Sequence, residues 1–311
     1  MKTYPLSAKY TMIVGSVAID RVATSNAQSD NILGGAASYA SIASSYFAPT
    51  RLVGIVGKDF PNTFIQEYRK HNIDLEGLQI DPEGKTFFWS GKYSEHFDSR
   101  QTLELQLNVF EQFSPALRGA YRSSTFVMLG AIQPSLQLHV MDQLFLRPRK
   151  PFVLADTFDH WILSARDDFN KVMRRVDMMV INEEEAQLLT KERNLAIAGP
   201  KLRKMGPKIV VVKRGANGAV LFHPAGFFSI PAYPTTKLMD PTGAGDSFAG
   251  TLIGYLAAVN RTDFAALKKA MAYATAVASF TIESFSVDRL SSAGRDAIDL
   301  RYRALINITR F

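Results

Sequence analysis

A glycine-rich stretch with one acidic residue near its centre carries the clearest chemical signal in the sequence. It runs from Asp240 to Gly250 and reads DPTGAGDSFAG. Gly243 and Gly245 allow backbone conformations that other residues avoid, so successive N–H groups can point into one concavity. The small apolar residues that follow predict a buried helix, whose first N–H groups lack helical partners and carry partial positive charge. The stretch therefore predicts an anion site suited to a phosphate group.

Asp246 lies inside this predicted anion site. A carboxylate repels phosphate, so it is an unusual phosphate ligand. It suits a base that takes the proton from a hydroxyl group attacking the phosphate. An aspartate at a helix start is also common as an N-terminal cap, and a lone Gly-x-Gly-Asp would not separate these two interpretations.

Strands alternating with helices must position this loop. Strands are predicted over residues 10–17, 51–56, 125–129, 151–155, 178–181 and 208–213, and a hairpin over 219–230. Helices are predicted over residues 33–46, 61–71, 134–146, 167–176, 183–189, 194–205, 245–259, 263–281 and 293–306. The alternation predicts an α/β fold with a doubly wound, mainly parallel sheet flanked by helices.

Residues 85–93 and 101–109 interrupt the alternation, because both are β-rich and no helical pattern separates them. We expect them to pair antiparallel in a small sheet that stands apart from the main one.

Polar and glycine positions that could do chemistry follow the predicted strands or open the helices. They are Asp20, Gly34, Gly35, Gln133, Asp156, Asn182, Lys213 and Asp246. Ligands of such sheets bind beyond the carboxyl ends of the strands. We therefore expect these positions to converge on one crevice, although the sequence separates them widely.

Composition narrows the class of protein. The 311 residues include no cysteine, which excludes disulfides, thiolate zinc sites and a thiol nucleophile and is compatible with a reducing cytosol. The sequence contains no apolar signal core and no run of membrane-spanning length, so we expect a cytoplasmic protein without a membrane partner. The net charge of +7 comes without zinc-finger spacing or an RNA-recognition motif, so we expect solvated surface charge and no nucleic-acid partner.

The string from Asp240 to Gly250 resembles the signature of the PfkB carbohydrate kinase family, the ribokinase-like sugar and nucleoside kinases. The resemblance spans most of the chain and includes Gly34-Gly35 with Asp20 upstream. It implies one ribokinase-like domain over residues 1–311, with the small sheet as a lid built from about residues 16–33 and 84–113. It also implies ATP-dependent phosphorylation of a primary hydroxyl on a small sugar.

Two alternatives stay open beside a sugar kinase. One is a nucleoside or inositol kinase of the same fold, which a hydrophobic slot lined by lid aromatics would favour. The other is a ligand-binding regulator without catalysis, although a pure binding protein would not need Asp246.

The resemblance also implies roles for single residues. Asp246 would be the catalytic base, and Gly243, Ala244 and Gly245 would form the anion hole. The acceptor would be bound by Asp20, Gly34, Gly35, Tyr39 and Gln133. Tyr39 departs from the pattern, because the family often has asparagine there, and this leaves the identity of the acceptor in doubt.

On the nucleotide side, the resemblance implies that ATP contacts Asn182, Lys213, Gly215 and Gly218. Glu185 would hold Mg²⁺ through water, and Asp156 is a further candidate for contact with that ion. Simpler interpretations exist: Asn182 and Glu185 suit an ordinary helix cap, and the two glycines suit a plain hairpin turn.

The lid and the C-terminal helices add three expectations. The lid aromatics Phe87, Phe88, Trp89 and Tyr93 could stack on a base or sugar, but packing within the lid or a clasp between two subunits explains them more simply. We also expect a homodimer that forms through the lid. A monovalent cation is a further candidate ligand near the signature helix. Ser286 stands near that place, where glycine would be usual.

Overall fold

The computed structural model describes Tyr4, residues 8–97 and residues 99–310. Its strands are β1 (Thr11–Val14), β2 (Ala18–Ala23), β3 (Gln28–Gly34), β4 (Thr50–Gly57), β5 (Asp74–Asp81), β6 (Phe87–Tyr93), β7 (Arg100–Gln106), β8 (Phe126–Leu129), β9 (Phe152–Asp156), β10 (Met178–Asn182), β11 (Ile209–Lys213), β12 (Ala219–His223) and β13 (Gly226–Ile230). Its helices are α1 (Ala36–Ser44), α2 (Asn62–Lys70), α3 (Pro134–Phe145), α4 (Asp159–Ser164), α5 (Arg166–Met173), α6 (Glu183–Thr190), α7 (Leu195–Lys204), α8 (Ala244–Val259), α9 (Phe264–Thr281), α10 (Asp288–Ser292) and α11 (Gly294–Ile308).

The main sheet has nine strands in the order β13-β12-β11-β10-β9-β8-β1-β4-β5. The pairs from β11 through β5 are parallel, and the hairpin of β12 and β13 adds an antiparallel edge. The predicted doubly wound, mainly parallel sheet is confirmed.

Hydrophobic cores cover both faces of this sheet. Along β1, Ile13 packs into one core, whereas Met12 and Val14 pack into the other, because alternate side chains of a strand point to opposite faces. Helices α1, α2 and α8 to α11 cover the first face, and α3 to α7 cover the second. The central strands are therefore continuously apolar, which is the pattern that made them predictable.

Helix α8, which follows the glycine-rich loop, packs tightly against α1. A Cβ at Gly250 would overlap the backbone of Ala40, and a Cβ at Gly254 would come within 2.9 Å of Ser44. The small residues of both helices thus permit an approach that larger side chains would block. This packing joins the loop at the start of α8 to the di-glycine segment that precedes α1.

The second sheet has four strands in the order β3-β2-β6-β7. Strands β6 and β7 pair antiparallel, as predicted for residues 85–93 and 101–109, but residues 108–112 form a short 3₁₀ turn instead of strand. Val22, Trp89 and Tyr93 form its small core. We call this sheet the lid. The domain limits of 1–311 stay a prediction, and residues 1–3, 5–7, 98 and 311 of that range lie outside the described residues.

Several elements differ from the predicted ones. The strand predicted over residues 10–17 ends at Val14, and the chain then crosses into β2 of the lid. The helix predicted from residue 33 begins at Ala36, because Gly34 still ends β3. Strand β5 was missed, since its side chains are only half-buried or exposed and give no clear alternation. None of the described helices is both long and apolar enough to cross a membrane.

Candidate active site

An ion pair lies at the carboxyl ends of the central strands. Lys213 ends β11 and Asp156 ends β9, and the Lys213 Nζ atom lies 2.8 Å from Asp156 Oδ2 across the intervening strand β10. Burial opposes the charged form of Lys213, but Asp156 and Glu185 raise its pKa above the ordinary value. The ammonium group is therefore a fixed positive charge in the crevice.

Asp246 lies in the first turn of α8, next to this ion pair. A Cβ added at Gly245 would be 3.0 Å from Lys213 Nζ, so the lysine reaches the backbone of the loop. Burial raises the pKa of Asp246 to about 6, and Asp156 contributes to the rise, whereas Lys213 and Arg100 lower it. The carboxyl group is thus ionised at neutral pH and keeps more basicity than an exposed aspartate.

The glycine-rich loop depends on two close approaches. Gly243 has φ +74°, and a Cβ there would overlap the ring of Tyr39. The N–H of Ala244 donates to the Pro241 carbonyl at 3.2 Å, so this member of the predicted anion hole is engaged in a turn. The following N–H groups of α8, those of Gly245 and Asp246, lie within the first helical turn, where helices leave donors without helical acceptors.

The di-glycine segment is shaped around Asp20. A Cβ at Gly34 would overlap the Asp20 carboxyl group, and a Cβ at Gly35, which has φ +89°, would overlap the Ser16 carbonyl oxygen. Burial raises the pKa of Asp20 to about 8, with Asp240 and Asp246 adding to the rise and the Gly35 N–H opposing it. Asp20 is therefore mostly protonated at neutral pH and can both donate and accept a hydrogen bond.

Three buried polar atoms have no hydrogen-bond partner among the described residues: Asp20 Oδ1, the Tyr39 hydroxyl and Asp240 Oδ2. Their three side chains lie near one another, since each carboxyl group acts on the pKa of Tyr39. Burial raises the pKa of Tyr39 well above its ordinary value, and Asp20 and Asp240 add to the effect. Buried polar groups normally have partners, so a cluster of unsatisfied ones marks a place for a polar ligand or an ion.

Asp240 was not among the predicted site residues, although it begins the string that drew attention to the loop. Its side chain is fully buried, and Oδ1 accepts the Thr242 N–H at 2.9 Å. Its own N–H donates to the Ile282 carbonyl at 3.3 Å.

Ser286 takes a left-handed conformation with φ +54°, and its hydroxyl donates to the Leu33 carbonyl at 2.7 Å. A serine thus adopts the backbone conformation for which glycine was expected.

Asn182 and Glu185 form a reciprocal cap at the start of α6. Asn182 Oδ1 accepts the Glu185 N–H at 2.8 Å, and Glu185 Oε2 accepts the Asn182 N–H at 2.9 Å. Burial raises the pKa of Glu185 to about 7; Lys213 lowers it and Asp156 raises it. The simpler capping interpretation is therefore correct as geometry. Glu185 is more than a helix cap, however. Its carboxyl group is buried and interacts with Lys213 and Asp156, so it belongs to the charged group around Lys213.

The remaining predicted residues differ in how tightly the surrounding structure packs against them. Gly218 has φ +82° and a Cβ there would overlap the Ile230 carbonyl, whereas Gly215, with φ +53°, faces open space. Gln133 is exposed ahead of α3. The buried glutamine is Gln137, which was missed, and its Nε2 donates to the carbonyls of Gly130 and Asp156 at 2.8 and 3.0 Å.

The lid touches the glycine-rich loop directly. The hydroxyl groups of Tyr93 and Thr242 lie 3.0 Å apart. Arg100 of β7 was not predicted as a site residue, because one charged residue in an exposed strand gives no sequence signal. Its guanidinium carbon lies 5.3 Å from the ring centroid of Trp89 and 5.7 Å from that of Phe158.

We expect Tyr39→Phe to stabilise the free protein by about 1 kcal/mol, because it removes a buried hydroxyl that has no partner. Tyr68→Phe is the matched control: the Tyr68 hydroxyl is also buried but pairs with Ser38 Oγ at 2.7 Å, so its removal should cost about 1 kcal/mol. Urea unfolding of both variants measures the difference. Equal losses of stability would show that the Tyr39 hydroxyl has a partner.

Comparison with known proteins agrees with this geometry. The family model described as pfkB family carbohydrate kinase matches residues 8–292. A cytidine kinase from Thermococcus kodakarensis is 30% identical over 254 residues, covering 80% of this chain and 88% of that protein. A nucleoside kinase from Methanothermobacter thermautotrophicus is 26% identical over 272 residues, covering 81% and 79%.

The fold is also similar to that of solved structures. The ribokinase of Arabidopsis thaliana, solved with ribose and ATP, has a TM-score of 0.77 at 19% identity, covering 95% of this chain and 99% of that chain. The family model extends over most of the sequence, and the cytidine kinase relative is similar over most of its length. This chain therefore belongs to the pfkB family of carbohydrate kinases, and its activity is that of a sugar or nucleoside kinase.

Proposed function

We propose that this kinase transfers the γ-phosphoryl group of ATP to the primary hydroxyl of a nucleoside, with Asp246 as the base. The hydroxyl proton passes to the Asp246 carboxylate, the oxygen forms a bond to γ-phosphorus, and the bond from γ-phosphorus to the bridging oxygen breaks to release ADP. The pKa of about 6 supports this role, because Asp246 is then ionised at neutral pH and still basic enough to accept the proton.

The observation that favours a nucleoside over a free sugar is the aromatic lid above the loop. Trp89 and Tyr93 form its core, and Phe87 and Phe88 beside them are half-buried. The contact between the Tyr93 and Thr242 hydroxyl groups places one edge of this aromatic group beside the glycine-rich loop. A nucleoside offers a base for such a surface, whereas a free sugar does not. Both the cytidine kinase and the nucleoside kinase relatives support the same acceptor class.

The acceptor's sugar hydroxyls fit the floor of the crevice. Asp20 can exchange two hydrogen bonds with a diol, and Gly34 and Gly35 serve the site by leaving space for the Asp20 carboxyl group and the Ser16 carbonyl oxygen. The unsatisfied Tyr39 hydroxyl offers a further contact. Gln133 is a weaker candidate for the acceptor site, because its side chain is exposed.

On the nucleotide side, we propose that Lys213 and Asn182 contact the phosphates and that the turn at Gly215 and Gly218 borders the nucleotide. Glu185 suits a water-mediated hold on Mg²⁺, because its buried carboxyl group faces the same charged centre. Asp156 is less suited, since Lys213 already occupies one of its oxygens. Bound Mg²⁺ supplies positive charge that neutralises the phosphates.

We expect Asp246→Asn to lower kcat by about 10²- to 10⁴-fold and to spare nucleotide binding, because only the proton acceptor is lost. The assay is ATP consumption across a panel of nucleosides, sugars and inositols. For the parent protein, kcat/KM should fall as the pH drops through about 6, where Asp246 becomes protonated.

Asp296→Asn is the matched control, because Asp296 also lies in the first turn of a helix but is exposed on α11. Its kcat should stay within about twofold of the parent value. Full turnover by Asp246→Asn would exclude the base role. Preferred turnover of a sugar or inositol would correct the acceptor class, and no turnover with any acceptor would favour the regulator.

A monovalent cation beside Asp240 is also part of the proposal. The Oδ2 atom of Asp240 is buried and unsatisfied among the described residues, and a cation would satisfy it. The Ile282 carbonyl lies beside the Asp240 backbone, where it accepts the N–H groups of Met239 and Asp240. We expect kcat to fall severalfold when K⁺ is replaced by tetramethylammonium, which is too large to enter. Equal rates in both salts would contradict the proposal.

We further propose a cytoplasmic homodimer joined through the lid. All seven residues of the edge strand β7 are exposed, including Leu103 and Leu105 at 55% each. An exposed strand edge with apolar side chains offers an unpaired surface to a second copy. Light scattering should therefore give the mass of a dimer, and a monomer at micromolar concentration would contradict this arrangement. Cell fractionation tests the location.

A further inference from the structure

The crevice carries an excess of negative charge. Its acidic side chains are Asp156, Glu185, Asp240 and Asp246, besides Asp20, which is mostly protonated at neutral pH. The cation that the main sheet contributes among the described residues is Lys213, and it is already paired with Asp156 at 2.8 Å. Phosphoryl transfer brings further negative charge to this place. An additional fixed cation would therefore stabilise the transition state.

Arg100 lies where the lid meets the glycine-rich loop. In the sheet register it is opposite Tyr93 of the neighbouring strand β6. The Tyr93 hydroxyl lies 3.0 Å from Thr242 Oγ1, one residue before Gly243. The strand position of Arg100 is therefore fixed next to the lid's contact with the signature loop.

The Arg100 side chain also contacts the main body of the protein. Its guanidinium group lies over Trp89 of the lid and over Phe158, which precedes α4 and follows Asp156 by two residues. The guanidinium group also hydrogen-bonds to the Tyr93 hydroxyl, and its planar fork carries further N–H donors. Arg100 is exposed, and these contacts hold its charge beside Trp89 and Phe158.

We propose that Arg100 stabilises the transfer step, because it carries positive charge from the lid to the space bounded by Asp20, Asp246 and the glycine-rich loop. The inference rests on the proposed chemistry at Asp246 but holds for a nucleoside or a sugar acceptor. When the lid covers the crevice, the Arg100 guanidinium group faces the carboxyl groups of Asp20 and Asp246 and also the negative charge that develops on the phosphoryl group.

The pKa values of the crevice carboxyl groups agree with a position of Arg100 near Asp20 and Asp246. The charge of Arg100 lowers the pKa of both Asp20 and Asp246, against burial and neighbouring carboxyl groups that raise them. The other charged or titratable groups near this space are Asp156 on β9, Lys213 on β11, Tyr39 on α1, Tyr93 on β6 and Asp240 before α8. Arg100 is the cation that the lid adds to this set.

The test compares Arg100→Gln, Arg100→Lys and Lys92→Gln in steady-state kinetics, with whichever acceptor the parent phosphorylates. Lys92 is the matched control, because it is an exposed cation on β6 of the same lid, opposite Gln101. We expect Arg100→Gln to lower kcat by about 10²-fold, with the KM values for ATP and acceptor within about threefold of the parent values. Arg100→Lys should keep about tenfold more activity than Arg100→Gln, and Lys92→Gln should stay within about twofold of the parent.

The outcomes separate this inference from the proposed function. A parent protein that phosphorylates no acceptor contradicts the proposed function itself. If the parent is active and Arg100→Gln matches its kcat, or changes the KM of the acceptor alone, Arg100 does not act on the transfer step. An equal loss in Lys92→Gln would show a general effect of lid charge and would also overturn the assignment.

Discussion

The ion pair between Lys213 and Asp156 is the interaction on which the charged centre depends. A charge taken out of water is costly unless it is paired, and removing one partner would leave the other uncompensated. The pair joins the carboxyl ends of β11 and β9, so it also fixes the edge of the sheet where Asp246 and Glu185 converge. Lys213 lowers the pKa of both of these carboxyl groups. The charge states of Asp246 and Glu185 therefore depend in part on one lysine.

Space, as much as charge, determines which residues can occupy the crevice. The Asp20 carboxyl group occupies the space that a side chain at Gly34 would need, and the Tyr39 ring occupies the space that a side chain at Gly243 would need. Each glycine therefore serves two purposes, since its backbone bends and its missing side chain admits a functional neighbour. The packing of Gly250 against Ala40 then holds α1 and α8 at the separation that these contacts need.

The sequence predicted those parts of the fold whose signal is local. The central strands are continuously apolar, and the signature loop concentrates its glycines and aspartate in a few residues. The chain gave weaker signals for β3 and β5, because their exposed and half-buried residues do not alternate regularly. Burial alternates along β2, but one of its buried residues is Asp20, so the hydrophobic pattern is interrupted.

The missed site residues act through contacts that span distant parts of the chain. Gln137 bridges Gly130 and Asp156, and Arg100 meets Phe158 across the crevice. Neither contact leaves a pattern in the neighbouring sequence. Asp240 was overlooked for another reason: its environment is set by burial and by the Ile282 carbonyl, which only the fold brings near. Gln133 was chosen for its position after a strand, but the first turn of α3 exposes it.

The contact between Tyr93 and Thr242 has a thermodynamic consequence. It joins the lid to the glycine-rich loop. In the proposed function the lid would cover the acceptor and the loop would receive the negative charge of ATP. Any free energy by which one substrate favours the closed contact must reappear as an equal gain in affinity for the second substrate, because linkage between two binding sites is reciprocal. A single pair of hydroxyl groups thus gives the two halves of the crevice a means of cooperative binding.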